Sequence, residues 1–283
     1  MPFPFPFLIL FPIFAAEIMK IKEVAEALER FAPLPLQESY DNAGLQIGLT
    51  EADNLTGVLL CLDVTEDVIR EAAQKGCNLI VSHHPLLFRG LKCIADETIV
   101  QRCVRLALKE NVAVYSTHTN LDNVEGGVNW KIAEHLGLTK TKPLVPGTPL
   151  SEGWQTGSGL IGELPKSVEA YEFLAMVKSE FNVEKLSANR VPRGRMIRRV
   201  ALCGGAGDFL LDEALRQGAD AFLTGEMHYH QYFGLEDRIL IGVLGHYESE
   251  QYTIQLLKEI LEVDVDDVPI YETQYNTNPI QYL

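Results

Sequence analysis

The chain has 283 residues, of which 47% are hydrophobic and 22% are charged, a composition typical of a soluble globular protein with a substantial core. This length suits one large domain or two of ordinary size. The formal net charge is −15, from 24 basic and 39 acidic residues, and an acidic surface repels phosphate backbones, which argues against nucleic acid as a partner.

Residues 1–18 differ from the rest of the chain. They are mostly apolar, carry prolines at positions 2, 4, 6 and 12, and contain no basic residue. A signal peptide needs a positively charged start, and a membrane span needs about 20 apolar residues with fewer helix breakers. Because Met19 is followed directly by an amphipathic pattern, we interpret 1–18 as an apolar leader or a non-native extension, and we predict no membrane segment.

From residue 21 onward the pattern predicts alternating helices and strands. Apolar residues recur at helical spacing over 21–31, and Thr65 is a suitable cap for a helix that Gly76 closes. A further helix is predicted near 97–110. Buried strands are predicted at 57–63, 78–82 and 112–116. Strands that alternate with helices imply a mostly parallel sheet that is covered on both faces.

The second half of the chain resembles the first. A shift of 142 residues lays 58–84 over 200–226 without a gap, and each copy follows the order strand, turn, helix, glycine, strand. We therefore predict an α/β fold of two similar halves, each a mainly parallel sheet flanked by helices, with a metal site between strand ends. The predicted halves are 19–140 and 160–283, the junction is 141–159, and the C-terminal segment is free to pack back on the first half.

The five cysteines are Cys61, Cys77, Cys93, Cys103 and Cys203, and no two of them form a C-x-x-C pair. Several lie in apolar runs, where a thiol behaves as a small buried hydrophobe. This usage is typical of a reducing cytoplasm, and it argues against both a disulfide framework and a cysteine zinc site. We therefore predict a cytoplasmic protein.

Six of the seven histidines lie in four short polar segments, each at the end of an apolar run that is typical of a strand. Ligands of parallel α/β sheets bind beyond the carboxyl ends of the strands. The pattern therefore predicts one metal site assembled from strand ends. The four segments are S-H-H-P at 82–85, H-T-N-L-D at 118–122, G-E-M-H-Y-H at 225–230 and G-H-Y-E-S-E at 245–250.

The adjacent pair His83 and His84 indicates a site for two ions. Neighbouring residues of a strand point to opposite sides, so each imidazole can bind one of two ions. His118 and Asp122 follow the next strand and can supply a further nitrogen and an oxygen. Imidazole and carboxylate ligands together suit Zn, Fe, Mn, Co or Ni better than calcium.

The spacing of His246 and Glu250 is that of one helical turn, so the two side chains share a face. A carboxylate in this position can bridge two ions while the histidine binds one of them. Two metals roughly 3.5–4 Å apart activate water and polarise a substrate oxygen in many hydrolases. We therefore predict a dinuclear centre, and we predict no site for an organic cofactor.

The third polar segment is harder to interpret. Glu226 is the counterpart of His84 in the repeat, which places it near the site in a proton-transfer or supporting role. His228 is a second candidate for proton transfer, whereas His230 is interpreted as a packing residue and His135 as a structural one. The glycine-rich stretch 204–207 admits two interpretations, an anion cradle at a helix start or a tight turn.

The polar segments, in this order, resemble the Nif-three-like family of dinuclear-metal proteins, often labelled GTP cyclohydrolase type-2-like. The resemblance runs from about Met19 to the C-terminus, and its marks are 40–48, 82–88, 116–123, 224–226 and 245–250. It implies a ring-shaped homohexamer of chains with two α/β halves. It also implies that His118 supports the centre without binding metal. The metal ligands that it implies are His83, His84, Asp122, His246 and a bridging Glu250.

Two functions follow as hypotheses. The first is a metal-dependent hydrolase of a small nucleotide-like or phosphorylated molecule, with metal-bound hydroxide as nucleophile and Glu226 or His228 moving the proton. The alternative is a non-catalytic protein that binds or delivers metal, or a regulatory scaffold. Hydrolysis requires a metal position open to water. Five ligands shared by two ions leave such positions, which favours the enzyme.

Overall fold

The computed structural model describes residues 19–48, 54–149, 151 and 153–282. The predicted leader at 1–18 lies outside these residues. The helices are α1 Ile21–Phe31, α2 Glu66–Gln74, α3 Ile99–Glu110, α4 Thr119–Asp122, α5 Val128–His135, α6 Ala170–Glu180, α7 Leu211–Arg216, α8 His246–Glu250 and α9 Thr253–Leu261. The strands are β1 Gly44–Ile47, β2 Val58–Cys61, β3 Leu79–Ser82, β4 Ala113–Ser116, β5 Thr139–Pro146, β6 Gly157–Glu169, β7 Ser187–Ala188, β8 Met196–Cys203, β9 Ala221–Thr224, β10 Leu240–Val243 and β11 Ile270–Glu272.

The helices begin and end where local chemistry favours it. The Thr65 hydroxyl accepts a hydrogen bond from the Val68 amide at 3.3 Å and so caps α2. Thr98 caps α3 in the same way through the Gln101 amide. At the other end of α3, Asn111 adopts a left-handed conformation with φ of 60°, a common way for a helix to stop.

The first sheet has the strand order β1-β4-β3-β2-β11, in which only β1 runs antiparallel to its neighbour. Both of its faces are covered, because alternate strand residues enter two different cores. One core, which includes Leu59 and Ile80, packs against α2 and α3. The other core, which includes Leu60 and Val81, packs against α1 and α9. Burial on both faces explains the nearly continuous apolar runs of β2, β3 and β4.

The second sheet has the order β5-β6-β8-β9-β10-β7. The pairs β8–β9 and β9–β10 are parallel, whereas β5–β6, β6–β8 and β10–β7 are antiparallel. The α/β class with two helix-flanked sheets is confirmed, but the expectation that the second sheet is mainly parallel is wrong. The reason lies in β5 and β6, which pair antiparallel across a short connection and so need no crossover helix.

The two halves share one core and one strand register. The core that covers one face of the first sheet also contains Leu202 and Leu223 of the second sheet. Val58 pairs with Leu79 in the first sheet, and their counterparts 142 residues later, Val200 and Ala221, pair in the same way. The predicted boundaries of the halves stay a prediction. The first strand of the second sheet, β5, begins at Thr139, just before the predicted junction at 141–159.

The end of the described chain returns to the first sheet, where β11 lies parallel to β2. This places the residues after β11 along the carboxyl edge of that sheet. Among the described residues, no helix has the length and apolar character that crossing a lipid bilayer requires.

Candidate metal centre

The carboxyl ends of parallel strands from both sheets bring the predicted ligands together. His83 and His84 follow β3, and their amides continue the ladder by donating to Cys61 O at 3.1 Å and Leu62 O at 2.9 Å. After β4 the chain enters the single turn of α4, which ends at Asp122. After β10 it enters α8, which carries His246 and Glu250.

The rings of His83 and His84 do not diverge as they would on a continued strand. Their centroids are 4.9 Å apart, because β3 ends at Ser82 and the chain bends there. The Ser82 hydroxyl donates to His84 O at 2.9 Å and stabilises the bend. Both rings therefore face the same centre, and His84 also lies 5.2 Å from the ring of His246.

Glu250 lies at the middle of the cluster and is buried, with 4% of its side chain exposed. One carboxylate oxygen, Oε2, lies 3.0 Å from His84 Nε2 and 3.3 Å from His246 Nε2. The other oxygen, Oε1, faces His83 Nε2 at 3.8 Å. The carboxylate thus separates two groups of nitrogens, as a bridging ligand does.

His83 and Asp122 form the least satisfied part of the cluster. His83 Nε2 lies 3.7 Å from Asp122 Oδ1, which is too far for a hydrogen bond. Both atoms are buried and have no hydrogen-bond partner among the described residues. Since buried polar atoms are almost always paired, two orphaned atoms that face each other fit a cation between them.

Each histidine of the cluster is fixed through Nδ1, which leaves Nε2 for the centre. Metal-binding histidines are oriented in this way, by a carboxylate or a carbonyl on the nitrogen that does not bind metal. An ionised carboxylate only accepts hydrogen bonds, so each Nδ1 donates to its partner. The four pairs are His83 with Thr117 O at 2.9 Å, His84 with Asp63 at 2.8 Å, His118 with Asp41 at 2.8 Å and His246 with Glu226 at 2.7 Å.

Two of these partners, Asp41 and Asp63, were not singled out from the sequence. Asp63 directly follows the apolar run of β2, and Asp41 lies in the polar stretch before β1. For Asp63 the available signal was the one that identified the histidines, a polar residue just beyond a strand at the carboxyl edge of a parallel sheet, whereas Asp41 precedes its strand and carries no such signal. Asp63 carries that signal alone, without a neighbouring histidine to draw attention to it.

The protonation of the metal-free cluster follows from its burial and pairing. Burial lowers the pKa of His84, but hydrogen bonds to Asp63 and Glu250 outweigh it and raise that pKa to about 10. Burial also lowers the pKa of His246, and its bonds to Glu250 and Glu226 raise it to about 9. Burial alone would raise the pKa of Glu250, yet the surrounding imidazoles hold it well below its usual range. Protonated imidazoles therefore surround the Glu250 carboxylate with positive charge in the metal-free protein, and a bound cation would supply that charge in their place.

The residues of the third polar segment occupy different surroundings. Glu226 contacts His246 Nδ1 with 57% of its side chain exposed. The side chain of His228 is 88% exposed, and its Nε2 lies 3.8 Å from Asp208. His230 packs beside aromatic rings, and His135 stacks on Tyr252 at 3.8 Å. The structure therefore brings Glu226, but not the His228 ring, into contact with a histidine of the cluster.

The glycine-rich turn at 204–207 lets the backbone lie close to the Glu250 side chain. The amides of Gly204, Gly205 and Gly207 donate to Asn129, Ser249 and Thr224 side chains, so they are engaged within the protein. A Cβ on Gly205 would lie 2.4 Å from Glu250 Oε1. The tight-turn interpretation therefore fits, and the turn makes room for the central carboxylate.

Two of the cavities that reach the cluster are large. The first has a volume of about 450 Å³ and is lined by His84, His118 and His246 together with Phe88, Tyr247 and residues 278–280. The second, of about 1130 Å³, shares Glu226, His246 and Ile280 with the first. The smaller volume lies within the range of about 300–1,000 Å³ that small-molecule sites occupy, and the larger one slightly exceeds it.

Comparison with known proteins points to one family. The family model described as Duf34/NIF3 (NGG1p interacting factor 3) matches residues 19–279. A Clostridium perfringens protein named GTP cyclohydrolase 1 type 2 homolog is 33% identical over 270 residues, covering 94% of this chain and 100% of that protein. A Lactococcus lactis protein of the same name is 33% identical over 264 residues, covering 92% and 98%.

Solved structures show the same fold. A Bacillus cereus protein related to NIF3 aligns with a TM-score of 0.85 at 24% identity, covering 95% of this chain and 100% of that one. A Staphylococcus aureus hypothetical protein aligns with a TM-score of 0.84 at 28% identity, covering 94% and 100%. The likeness covers nearly the whole chain and therefore both sheets.

Proposed function

The chain belongs to the Duf34/NIF3 family, and we propose that it is a metal-dependent hydrolase of a small substrate with a dinuclear centre. The observation that carries the proposal is the pair of buried, unpartnered atoms His83 Nε2 and Asp122 Oδ1, which face each other at 3.7 Å. The proposed ligands are His83, His84, Asp122, His246 and Glu250.

The contacts divide these ligands into two sets that share Glu250. Its Oε1 lies on the side of His83, which in turn faces Asp122. Its Oε2 lies beside His84 and His246, whose Nε2 atoms are 3.3 Å from each other. This division supports two cations with Glu250 between them, and the nitrogen and oxygen donors suit Zn, Fe, Mn, Co or Ni.

Two divalent cations would polarise a substrate oxygen and make water a nucleophile at neutral pH. The chain's own residues supply the remaining requirements. Asp63 and Glu226 hold the rings of His84 and His246 in place. Phe88 and Ile280 line the smaller cavity with apolar surface. A substrate that fills this cavity displaces water from the metal ligands, which strengthens electrostatic interactions there.

We further propose that Glu226 or His228 moves the proton during hydrolysis. Glu226 lines both cavities, which supports its candidacy, whereas His228 lines the larger one. His118 faces the smaller cavity and is held by Asp41, which supports a role beside the metals. Glu226→Gln and His228→Gln variants that keep bound metal and lose turnover would identify the proton-transfer residue.

The proposal is tested first by metal content. Gently purified protein should contain close to two equivalents of divalent metal per chain, and Glu250→Ala should lose them while its circular dichroism spectrum stays native. Absence of metal from the native protein, and from protein reloaded with Zn, Mn or Fe, would remove the basis of the proposal.

Turnover is the second test. Nucleotides, phosphoesters and cyclic amides are incubated with Zn-, Mn- and Fe-loaded protein, and with His84→Ala as the matched control. Hydrolysis that depends on His84 supports the enzyme. Bound metal that exchanges readily during dialysis, without hydrolysis of any substrate, favours the alternative of a metal-binding or delivery protein.

The homohexamer implied by the family resemblance stays a prediction. Tyr229 and Phe233 are 72% and 62% exposed, and exposed aromatic rings are common at subunit interfaces. Sedimentation equilibrium gives the mass of the assembly directly. The cytoplasmic location and the lack of a nucleic-acid partner also stay predictions.

A further inference from the structure

The residues after β11 reach the metal centre. β11 continues the first sheet beside β2, and the Thr273 amide extends the ladder by donating to Leu60 O at 2.9 Å. The Thr273 hydroxyl and the Gln274 amide then bind the carboxylate of Glu71. We call residues 273–282 the C-terminal segment. Its path follows the carboxyl edge of the sheet, where His83 and His84 lie.

A chain of hydrogen bonds joins this segment to the centre. The Thr277 hydroxyl donates to Asp63 Oδ2 at 2.9 Å. The other oxygen, Asp63 Oδ1, lies 2.8 Å from His84 Nδ1. The far side of the same ring, Nε2, lies 3.0 Å from Glu250 Oε2. Three consecutive contacts therefore connect Thr277 to the central carboxylate.

We propose that Thr277 is a positioning residue of the metal site, which orients His84 by fixing the carboxylate of Asp63. The inference rests on the proposed function, because it takes His84 as a metal ligand. The torsion that rotates a carboxylate is broad and poorly defined by itself. A donor on each oxygen fixes this rotation, and the His84 ring then has one favoured orientation.

The same arrangement occurs at the neighbouring histidine. His118 Nδ1 is bound by Asp41 Oδ1, and Asp41 Oδ2 accepts hydrogen bonds from the amide and the hydroxyl of Thr119. A threonine hydroxyl thus holds the free oxygen of the orienting carboxylate in both cases. Thr119 is adjacent to its histidine, whereas Thr277 comes from a segment far along the chain. The recurrence supports a positioning role over an incidental contact.

Contacts on both sides hold Thr277 in place. Before it, the segment is tied to Glu71 through the Gln274 backbone amide, which a substitution at Thr273 leaves in place. After it, Asn278 donates to Glu248 Oε1 at 2.8 Å. Glu71 belongs to the first half and Glu248 to the second, so the segment spans both halves of the site.

The test compares three substitutions in the full chain. Thr277→Val removes the hydroxyl with little change in shape, Thr277→Ser restores it, and Thr273→Val removes a different hydroxyl of the same segment. Cobalt(II) serves as the probe, because its absorption spectrum reports ligand geometry while titration gives affinity. Loss of a partner that orients a metal ligand typically weakens binding by about 10–100-fold, so we expect about a tenfold loss in Thr277→Val and near-native binding in the other two.

Several results would overturn the inference. Thr277→Val with native cobalt affinity and spectrum excludes a positioning role. An equal loss in Thr273→Val shows that anchoring of the whole segment matters, and not the bond to Asp63. In an Asp63→Asn background the effect of Thr277→Val should vanish, since Thr277 acts through Asp63. If Thr277→Val disturbs folding, the same comparison is made with Thr277→Ala.

A measurement without metal separates this inference from the proposed function. Nitrogen-15 resonances of the His84 ring report its hydrogen bond to Asp63 in metal-free protein. They should shift in Thr277→Val and stay in place in Thr273→Val. If the native chain binds no cobalt, the proposed function fails, and these resonances still decide whether Thr277 positions His84.

Discussion

Gly205 offers the sharpest test of the central carboxylate. The residue has a φ of +60°, and a Cβ placed on it would lie 2.4 Å from Glu250 Oε1 and 3.2 Å from His246 Nε2. Non-bonded atoms prefer separations of about 3.5 Å or more, so Gly205→Ala forces the Glu250 carboxylate to retreat by about 1 Å. Metal sites tolerate displacements of about 0.5 Å. We therefore expect Gly205→Ala to lose its metal.

Gly218 supplies a matched control. Its φ is +68°, and a Cβ there meets nothing within 4 Å. Alanine in the left-handed region costs roughly 1–2 kcal/mol at either glycine. Gly218→Ala therefore measures this backbone cost in urea with EDTA present, and Gly205→Ala should lose that amount of unfolding free energy plus the cost of displacing Glu250. Metal content after dialysis, measured by mass spectrometry, should fall in Gly205→Ala alone. Equal metal content in the two variants would show that Glu250 does not bind metal as proposed.

Four further predictions test the site and the fold. Asp63→Asn should weaken metal binding by about 10–100-fold, because His84 loses its charged partner; unchanged titration curves would contradict this. Removal of metal by EDTA should lower the melting temperature, since a ligand at a hundred times its dissociation constant stabilises by about 2.7 kcal/mol; calorimetry with and without EDTA checks this. Burial raises the pKa of Asp41, yet hydrogen bonds from His118 and Thr119 lower it below its usual range. The ionised carboxylate therefore stabilises the fold fully above the unfolded pKa of about 3.9, and this stabilisation decreases as the pH falls below that value. Asp41→Asn should therefore reduce the urea midpoint more at pH 7 than at pH 3 in metal-free protein, and an equal reduction at both would refute the pairing. Phe173 is fully buried in the core that both sheets share, so Phe173→Ala should lower the free energy of unfolding by about 3–5 kcal/mol. A decrease below about 1 kcal/mol would contradict such a core.

The sequence revealed the histidines of the candidate cluster because of how parallel sheets are built. His83, His118 and His246 each follow an apolar run, and the carboxyl ends of parallel strands lie at one edge. Polar residues at several such ends must therefore meet, whatever the details of packing. The equivalent strand register of the two halves could also be predicted from the sequence repeat, and Val58 and Val200 do occupy equivalent places in their sheets. These features depend on local pattern and a general rule of topology.

Other features depend on contacts that no local pattern encodes. The bond from Thr277 to Asp63 joins residues 214 positions apart, and nothing near Thr277 marks it as part of a metal site. The converging rings of His83 and His84 result from a bend stabilised by Ser82. The antiparallel pairing of β5 with β6 follows from a connection too short for a crossover. In each case the deciding interaction is tertiary.

The repeat explains why the proposed centre draws on both halves of the chain. Asp63 and His84 of the first half correspond, after the shift of 142 residues, to Gly205 and Glu226 of the second. In the first half these positions hold an orienting carboxylate and its histidine. In the second half, Gly205 makes space for Glu250, and Glu226 orients His246. Equivalent positions thus have different tasks, and neither half contains a full set of ligands. The proposed centre lies where the two halves meet, so the shared core that holds the halves together also assembles the site.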